Sequence, residues 1–365
     1  MDQRRPPRVA ALAVSSPLPS SSGSWATRFA ALPKAELHVH LEGAIEPATV
    51  VALARRYGDL LDEHSVSARY ATPDFTAFIE AYKWVTSYLR APADYALAAQ
   101  RMCEQMLAQN IVYAEVTLSA GVMLLRKQDI AANFRAIRDA AAPYESRGLR
   151  LQWIMDAVRQ FGAAAAREVA RRAVELRGAG VIAFGMGGDE LALPATEFRE
   201  VYDYAAANGL HRLVHAGEIG GPGSVRDAVD ILGAERIGHG IAAASDPKLM
   251  ALLAERRIGL EVCPTSNLRT GALARFLGRP ASGLADHPLP KLLLAGIPVS
   301  LSTDDPAMFD TDLSREFSTL GQMGLRNHEI ITIAEGAFRA AFLPTAEKSA
   351  LVHALRTKAT ALALL

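Results

Sequence analysis

From residue 35 onward, eight short apolar runs recur, each separated from the next by a stretch of helical period. They are AELHVH (35–40), IVYAEVTLS (111–119), LRLQWIMDAV (149–158), VIAFGMG (181–187), HRLVHAG (211–217), RIGHGI (236–241), IGLEVCP (258–264) and PVSLST (298–303). Most lack the polar alternation of a sheet with one wet face, so both faces are covered, as in a parallel sheet with helical crossovers. Between them lie amphipathic patterns such as AAAAREVARRAVELRG (163–178), TEFREVYDYAAANG (196–209) and DPKLMALLAERRIG (246–259), each stopped by a glycine. Eight strands with helical crossovers, over about 270 residues, match an α/β chain folded as a (β/α)8 TIM barrel better than a doubly wound sheet.

The spacing is uneven in one place. Seventy residues separate the first run from the second. That is room for at least three helices, among them DFTAFIEAYKWVTSYLR (74–90), which can fold over the barrel mouth as a lid. From about Asp312 to Leu365 the chain reads as helices, and residues 26–365 read as one domain. Residues 1–25, rich in Ser, Pro and Gly, read as a disordered leader. Arg4, Arg5 and Arg8 precede an apolar stretch of only six residues, 9–14. A signal-peptide core needs ~7–15. No apolar run reaches the ~18 residues of a membrane span. The 39 basic residues balance 39 acidic ones, which removes the basic excess of a nucleic-acid surface. The two cysteines, Cys103 and Cys263, exclude a disulfide scaffold and a CxxC zinc knuckle, and suit a reducing compartment. Both are expected to pack as apolar residues. These features together predict a cytoplasmic protein without membrane or nucleic-acid partners, and they leave its oligomeric state open.

His38 and His40 sit two apart in the first run, so a strand presents both on one face, where they can reach one metal ion. Two polar residues at a strand end would explain the pair equally well. Three further polar clusters end later runs: HAGE (215–218), GHG (238–240) and STDDP (302–306). In a barrel those ends converge on one mouth.

With these strings in view, the chain resembles the adenosine deaminase family of the amidohydrolase superfamily. The matching segments are PKAELHVHLEGAIEP (33–47), GGDE (187–190), VHAGE (214–218), RIGHGI (236–241), CPTSN (263–267) and STDDP (302–306), in family order from about residue 33 to 340. The resemblance implies one Zn²⁺ per chain, held by His38, His40, His215 and Asp304, and a small-molecule purine nucleoside substrate. Three imidazoles and a carboxylate with a position left for water suit catalytic zinc. By the same resemblance, Glu218 protonates purine N1 as hydroxide attacks C6, and His239 orients the water and takes its proton. Asp305 accepts a hydrogen bond near N7 and helps hold the water, the Gly188 N–H faces N3, and Glu42 faces the sugar.

Other residues are expected to be structural. Asp189 and Glu190 read as rim or helix-start carboxylates, and His211 and His287 as surface or loop histidines. Glu115 and Thr117 are open between a structural and a substrate role. The cytidine-deaminase plan, HxE followed by PCxxC, is excluded because the chain has HAGE and no CxxC.

The substrate is less constrained. Glu42 stands where many adenosine deaminases carry aspartate, and Ser119-Ala120-Gly121 replaces their serine-proline-histidine turn. Phe75, Phe78, Tyr82, Trp84 and Tyr88 crowd the lid segment. They read as helix packing, or as the lining of a pocket enlarged on the sugar side, with Phe75, Phe78 and Tyr82 as the substrate-facing candidates. The pattern is similar to bacterial aminodeoxyfutalosine deaminases of menaquinone biosynthesis. Adenosine or deoxyadenosine is the alternative substrate and adenine a second. A non-catalytic binding protein is disfavoured because every catalytic position is intact.

Overall fold

The structure, a computed structural model, describes residues 27–72 and 74–365. The leader read over residues 1–25 lies outside them. Eight strands form the frame: β1 (Lys34–His40), β2 (Ile111–Leu118), β3 (Arg150–Val158), β4 (Val181–Gly187), β5 (His211–Ala216), β6 (Arg236–His239), β7 (Gly259–Val262) and β8 (Val299–Leu301). They lie in sequence order and every neighbouring pair is parallel. The first and last meet through one residue beyond β8. The His40 N–H donates to Asp304 O at 2.9 Å, and the Asp304 N–H donates to His38 O at 3.0 Å. The architecture is the (β/α)8 barrel that the alternating runs imply.

The last three runs overreach their strands by two residues at the mouth. The backbone turns there: His239 takes φ +61° and Asp304 φ +69°, a left-handed region that costs a residue with a Cβ and persists only where its surroundings enforce it. Both residues are still paired, to Ala216 and Val39, and the turn at each aims its side chain.

The long first crossover holds four helices: α1 (Pro47–Arg56), α2 (Glu63–Tyr70), α3 (Phe75–Thr86) and α4 (Pro92–Ala108). Their starts are coded locally. Asp62 and Asp74 accept the Ser65 and Ala77 N–H groups, and proline opens α1 and α4, where a missing N–H costs nothing. Around the barrel follow α5 (Ala120–Leu125), α6 (Ile130–Glu145), α7 (Gly162–Leu176), α8 (Arg199–Ala207), α9 (Pro222–Asp230) and α10 (Pro247–Arg256). Between β7 and β8 lie α11 (Pro264–Arg269), α12 (Ala272–Leu277) and α13 (Leu289–Leu294). The chain closes with α14 (Leu313–Thr319), α15 (Asn327–Ala340) and α16 (Thr345–Ala361). None of the described helices is long and apolar enough to cross a membrane.

The barrel interior is not wholly apolar. Arg236, in β6 two residues before Gly238, is buried between Glu115 of β2 and Glu261 of β7 and bonds to both. Glu115 also accepts from the Tyr113 hydroxyl and the Phe342 N–H, and the Arg236 guanidinium lies 4.0 Å from the Phe342 ring centroid. Glu115 is therefore structural, and Thr117, whose carbonyl accepts the Leu41 N–H at 3.0 Å, is a ladder residue. Buried charges of this kind are tolerated only when every member is paired. Arg236→Met leaves two buried carboxylates without their cation and is expected to lower unfolding stability by about 3–5 kcal/mol, read as a shift of the urea midpoint.

Candidate active site

Five chemical side chains reach the mouth from four points of the barrel. β1 supplies His38 and His40, β5 supplies His215, β6 ends in His239, and the turn after β8 supplies Asp304. The ligand atoms of His38, His40, His215 and Asp304 all lie within 4.8 Å of one another. Asp304 Oδ1 is 3.3 Å from both His38 Nε2 and His40 Nε2, and His40 Nε2 is 3.3 Å from His215 Nε2. Ligands bound tetrahedrally at ~2.0–2.1 Å sit about 3.3–3.4 Å apart, so these four are spaced for one small divalent cation.

Partners behind the ligands set their orientation. His38 Nδ1 lies 2.8 Å from Glu261 Oε2, and His215 Nδ1 lies 3.3 Å from Met186 O. Both outer nitrogens face acceptors, which puts their hydrogens on Nδ1 and turns the Nε2 lone pairs inward. His38 Nε2 is buried without a hydrogen-bond partner among the described residues, which leaves its lone pair free for a metal ion. The Ser266 hydroxyl donates to Asp304 Oδ2 at 2.7 Å, leaving Oδ1 for the cluster. Burial opposes charge on Asp304, but the neighbouring imidazoles of His38, His40 and His239 outweigh it and hold the carboxyl well below its usual range. Space for the ring of His38 exists because β6 carries Gly238, where a Cβ would stand 2.6 Å from His38 Cε1.

A second group flanks the first. His239 Nε2 is 3.5 Å from Glu218 Oε2, and both lie close to Asp304. Burial, with the nearby Asp304 and Glu190 carboxylates, pushes Glu218 up to about 8. It keeps its proton at neutral pH, which suits a general acid. Burial and the neighbouring Asp304 charge also push Asp305 well above the carboxylate range, and its Oδ1 is buried without a partner. Gly188 follows β4 at φ +91°, a conformation that glycine adopts freely.

Two expectations need correction. Glu190 is not a rim carboxylate: it is buried and accepts four successive backbone N–H groups, from Gly217, Glu218, Ile219 and Gly220, at 2.5–3.2 Å. That clamp fixes the turn carrying Glu218. His287 is not a surface histidine either; only 4% exposed, it bonds through Asn267 to His239. Asp189 is exposed and accepts the Leu191 N–H, and His211 sits at the opposite end of β5 from His215, bonded to Glu235. Cys103 and Cys263 are free and buried, and burial raises both thiols, which leaves them unreactive.

Glu261, Ser266, Asn267 and Asp156 went without roles in the sequence reading. Glu261 and Asp156 carried a usable signal, since a carboxylate inside an apolar strand must be paired. Asp156 lies under the mouth, where burial pushes it up to about 7. Ser266 and Asn267 gave no signal of that kind.

On the remaining side of the mouth, Glu42 is buried and accepts the Ser119 N–H at 3.0 Å. The Tyr82 hydroxyl stands 2.7 Å from Ser119 Oγ and 3.4 Å from Glu42 Oε2. Phe78 packs on Phe309 with ring centroids 4.9 Å apart, and Phe75 packs on Phe78. Trp84 and Tyr88 turn instead toward Arg69, Asp59 and each other, so they are packing residues.

The profile of the family described as "Adenosine deaminase" matches residues 33–358. The chain belongs to the adenosine deaminase family. An aminodeoxyfutalosine deaminase of Streptomyces coelicolor is 38% identical over 335 residues, covering 90% of this chain and 84% of the relative. An adenine deaminase of Chelativorans sp. is 36% identical over 330 residues, covering 88% and 98%. Among solved structures, adenine deaminase from Arthrobacter aurescens superposes with a TM-score of 0.84 at 29% identity over 90% of this chain and 100% of that one. An amidohydrolase with bound zinc from Burkholderia ambifaria gives a TM-score of 0.85 at 25% identity over 97% and 98%. This member of the adenosine deaminase family is a hydrolase of C–N bonds, a deaminase of an adenine-type substrate.

The purified protein is expected to carry about one divalent metal ion per chain. His40→Ala or Asp304→Ala should each remove most of it in elemental analysis, because a four-ligand site loses a quarter of its donors. Full occupancy in both variants would refute the assignment.

Proposed function

We propose that the protein is a zinc-dependent 6-aminopurine deaminase acting on 6-amino-6-deoxyfutalosine, replacing the C6 amine with oxygen and releasing ammonia. The observation that carries the chemistry is the apposition of two groups: three histidines and Asp304 spaced for a metal, and protonated Glu218 beside His239 at their flank. Zinc bound there would act as a Lewis acid and make hydroxide available near neutral pH. Glu218 donates its proton to ring N1 as the water-derived oxygen adds at C6; its carboxylate then carries the proton of the new C6 hydroxyl to the amine, and the C6–N bond breaks to release ammonia and leave a C6 carbonyl. His239 orients the water, Asp305 meets N7 and the Gly188 N–H meets N3.

The substrate assignment rests on likeness and on the lid. Three relatives at 38–39% identity are aminodeoxyfutalosine deaminases. Helix α3 brings the Tyr82 hydroxyl to Glu42, with Phe78 against Tyr82 and Phe75 against Phe78, and such rings suit the carboxyphenyl group beyond the sugar, each aromatic pair adding ~0.5–1.5 kcal/mol beyond area burial. That substrate implies a place in menaquinone biosynthesis. A second reading, adenine, is favoured by one feature: the Glu42 carboxylate is already engaged by Ser119 and Tyr82, which narrows the sugar side.

Two measurements test this. Glu218→Gln keeps the shape but removes the transferable proton, so turnover should fall by at least ~10²-fold with metal content unchanged. The kcat/KM values for aminodeoxyfutalosine, adenosine and adenine on one preparation decide the substrate. An advantage of ~10–10³-fold for aminodeoxyfutalosine over adenosine is expected from a few kilocalories of added transition-state binding. A ratio at or below one would reduce the lid aromatics to packing, and adenine turning over best would favour the second reading.

A further inference from the structure

Behind His239 runs a hydrogen-bond chain whose direction is dictated by one backbone group. The Leu289 N–H, at the start of α13, donates to His287 Nδ1 at 3.1 Å. An amide N–H can only donate, so His287 Nδ1 carries a lone pair. Burial lowers His287 to about 3, so its ring is neutral and its hydrogen sits on Nε2. His287 Nε2 lies 3.2 Å from Asn267 Oδ1, and the only group that suits an N–H there is the amide oxygen. The amide nitrogen therefore faces the other way, 3.1 Å from His239 Nδ1, and donates to it. Asn267 and His239 are both fully buried, so no water competes along the chain.

We infer that Leu289, His287 and Asn267 lock His239 in the tautomer with its hydrogen on Nε2, so that His239 meets the attacking oxygen as a hydrogen-bond donor and not as its proton acceptor. His239 Nε2 has no partner among the described residues and faces the space bounded by Glu218 Oε2, at 3.5 Å, and Asp304 Oδ2, at 3.9 Å. A donor aimed into a buried space waits for an acceptor, and the incoming oxygen is one. The opposite tautomer would require Asn267 to turn over and His287 to place a hydrogen against the Leu289 N–H. Asn267 and His287 are thus positioning residues. The role of His239 toward the oxygen rests on the deaminase reading above; its tautomer does not.

The test reads the tautomer directly, by nitrogen NMR of the metal-loaded full chain carrying ¹⁵N-histidine, with His239 assigned by its loss in His239→Gln. A protonated Nε2 and an unprotonated Nδ1 are expected. His287→Gln, whose amide still donates to Asn267, should keep that signature, and His287→Ala should lose its exclusivity. Asn267→Asp puts an acceptor against Nδ1 and should reverse the tautomer, lowering kcat by ~10²-fold or more while KM changes by less than ~3-fold. A protonated Nδ1 in the unaltered protein overturns the inference, as does a reversed Asn267→Asp that keeps normal kcat. If Asn267→Asp does not fold, the spectra of the unaltered protein and of His287→Gln decide. The expected spectrum in a protein inactive on every 6-aminopurine would refute the substrate reading and leave the lock standing.

Discussion

The barrel closes on Asp304. Its amide and carbonyl pair with His38 and His40 across the seam between the first strand and the turn after the last, while its carboxylate stands 3.3 Å from both imidazoles. One residue thus completes the frame and anchors the chemistry. The cost is visible in its left-handed backbone, at φ +69°. That conformation persists because two ladder bonds and the Ser266 hydroxyl over-determine it. Closing the seam and assembling the candidate metal ligands are the same event, so the site exists only when the whole barrel does.

Four parts of the site are then held from behind by a group with no freedom of its own. Glu261, itself pinned by Arg236, holds His38; the Met186 carbonyl holds His215; Asn267 holds His239; Glu190 holds the turn of Glu218. Preorganisation of this kind removes the reorganisation that a mobile side chain would need at the moment of reaction. It also explains a barrel interior populated by buried charge. Arg236 and its two carboxylates occupy a layer where apolar residues would pack as well, and they link the outer partner of a ligand to strand β2.

The mouth combines a rigid half with a built lid. The ligand half sits on strand ends, where neighbours on both sides fix each backbone. The Glu42 half depends on α3, held to the barrel through Tyr82 and Ser119 and through Arg126, which bonds the Lys83 and Thr86 carbonyls at the end of that helix. In the proposed function, substrate size is decided in this second half, since what α3 covers is what a group on the sugar side must meet.

The sequence alone determined the barrel and pointed to the candidate metal ligands at its mouth. Strand–helix alternation with doubly covered strands admits few architectures, and the spacing of His38 and His40 aims both at one point. Local caps at Asp62 and Asp74, and the left-handed Gly209 just past α8, are likewise short-range chemistry written in neighbouring residues, whereas α10 ends on left-handed Arg257 and its expected stop, Gly259, opens β7. Tertiary structure alone decided what stands behind the ligands. Glu190 looked like a rim carboxylate and His287 like a loop histidine because distant partners are brought to each by folding: Glu190 lies 27–30 residues from the N–H groups it accepts, and His287 lies 20 from the Asn267 amide oxygen to which it donates. Short motifs record the atoms that touch the reaction; a hydrogen-bond partner contributed by another strand end leaves no periodicity and no spacing in the chain, and only closure of the barrel reveals it.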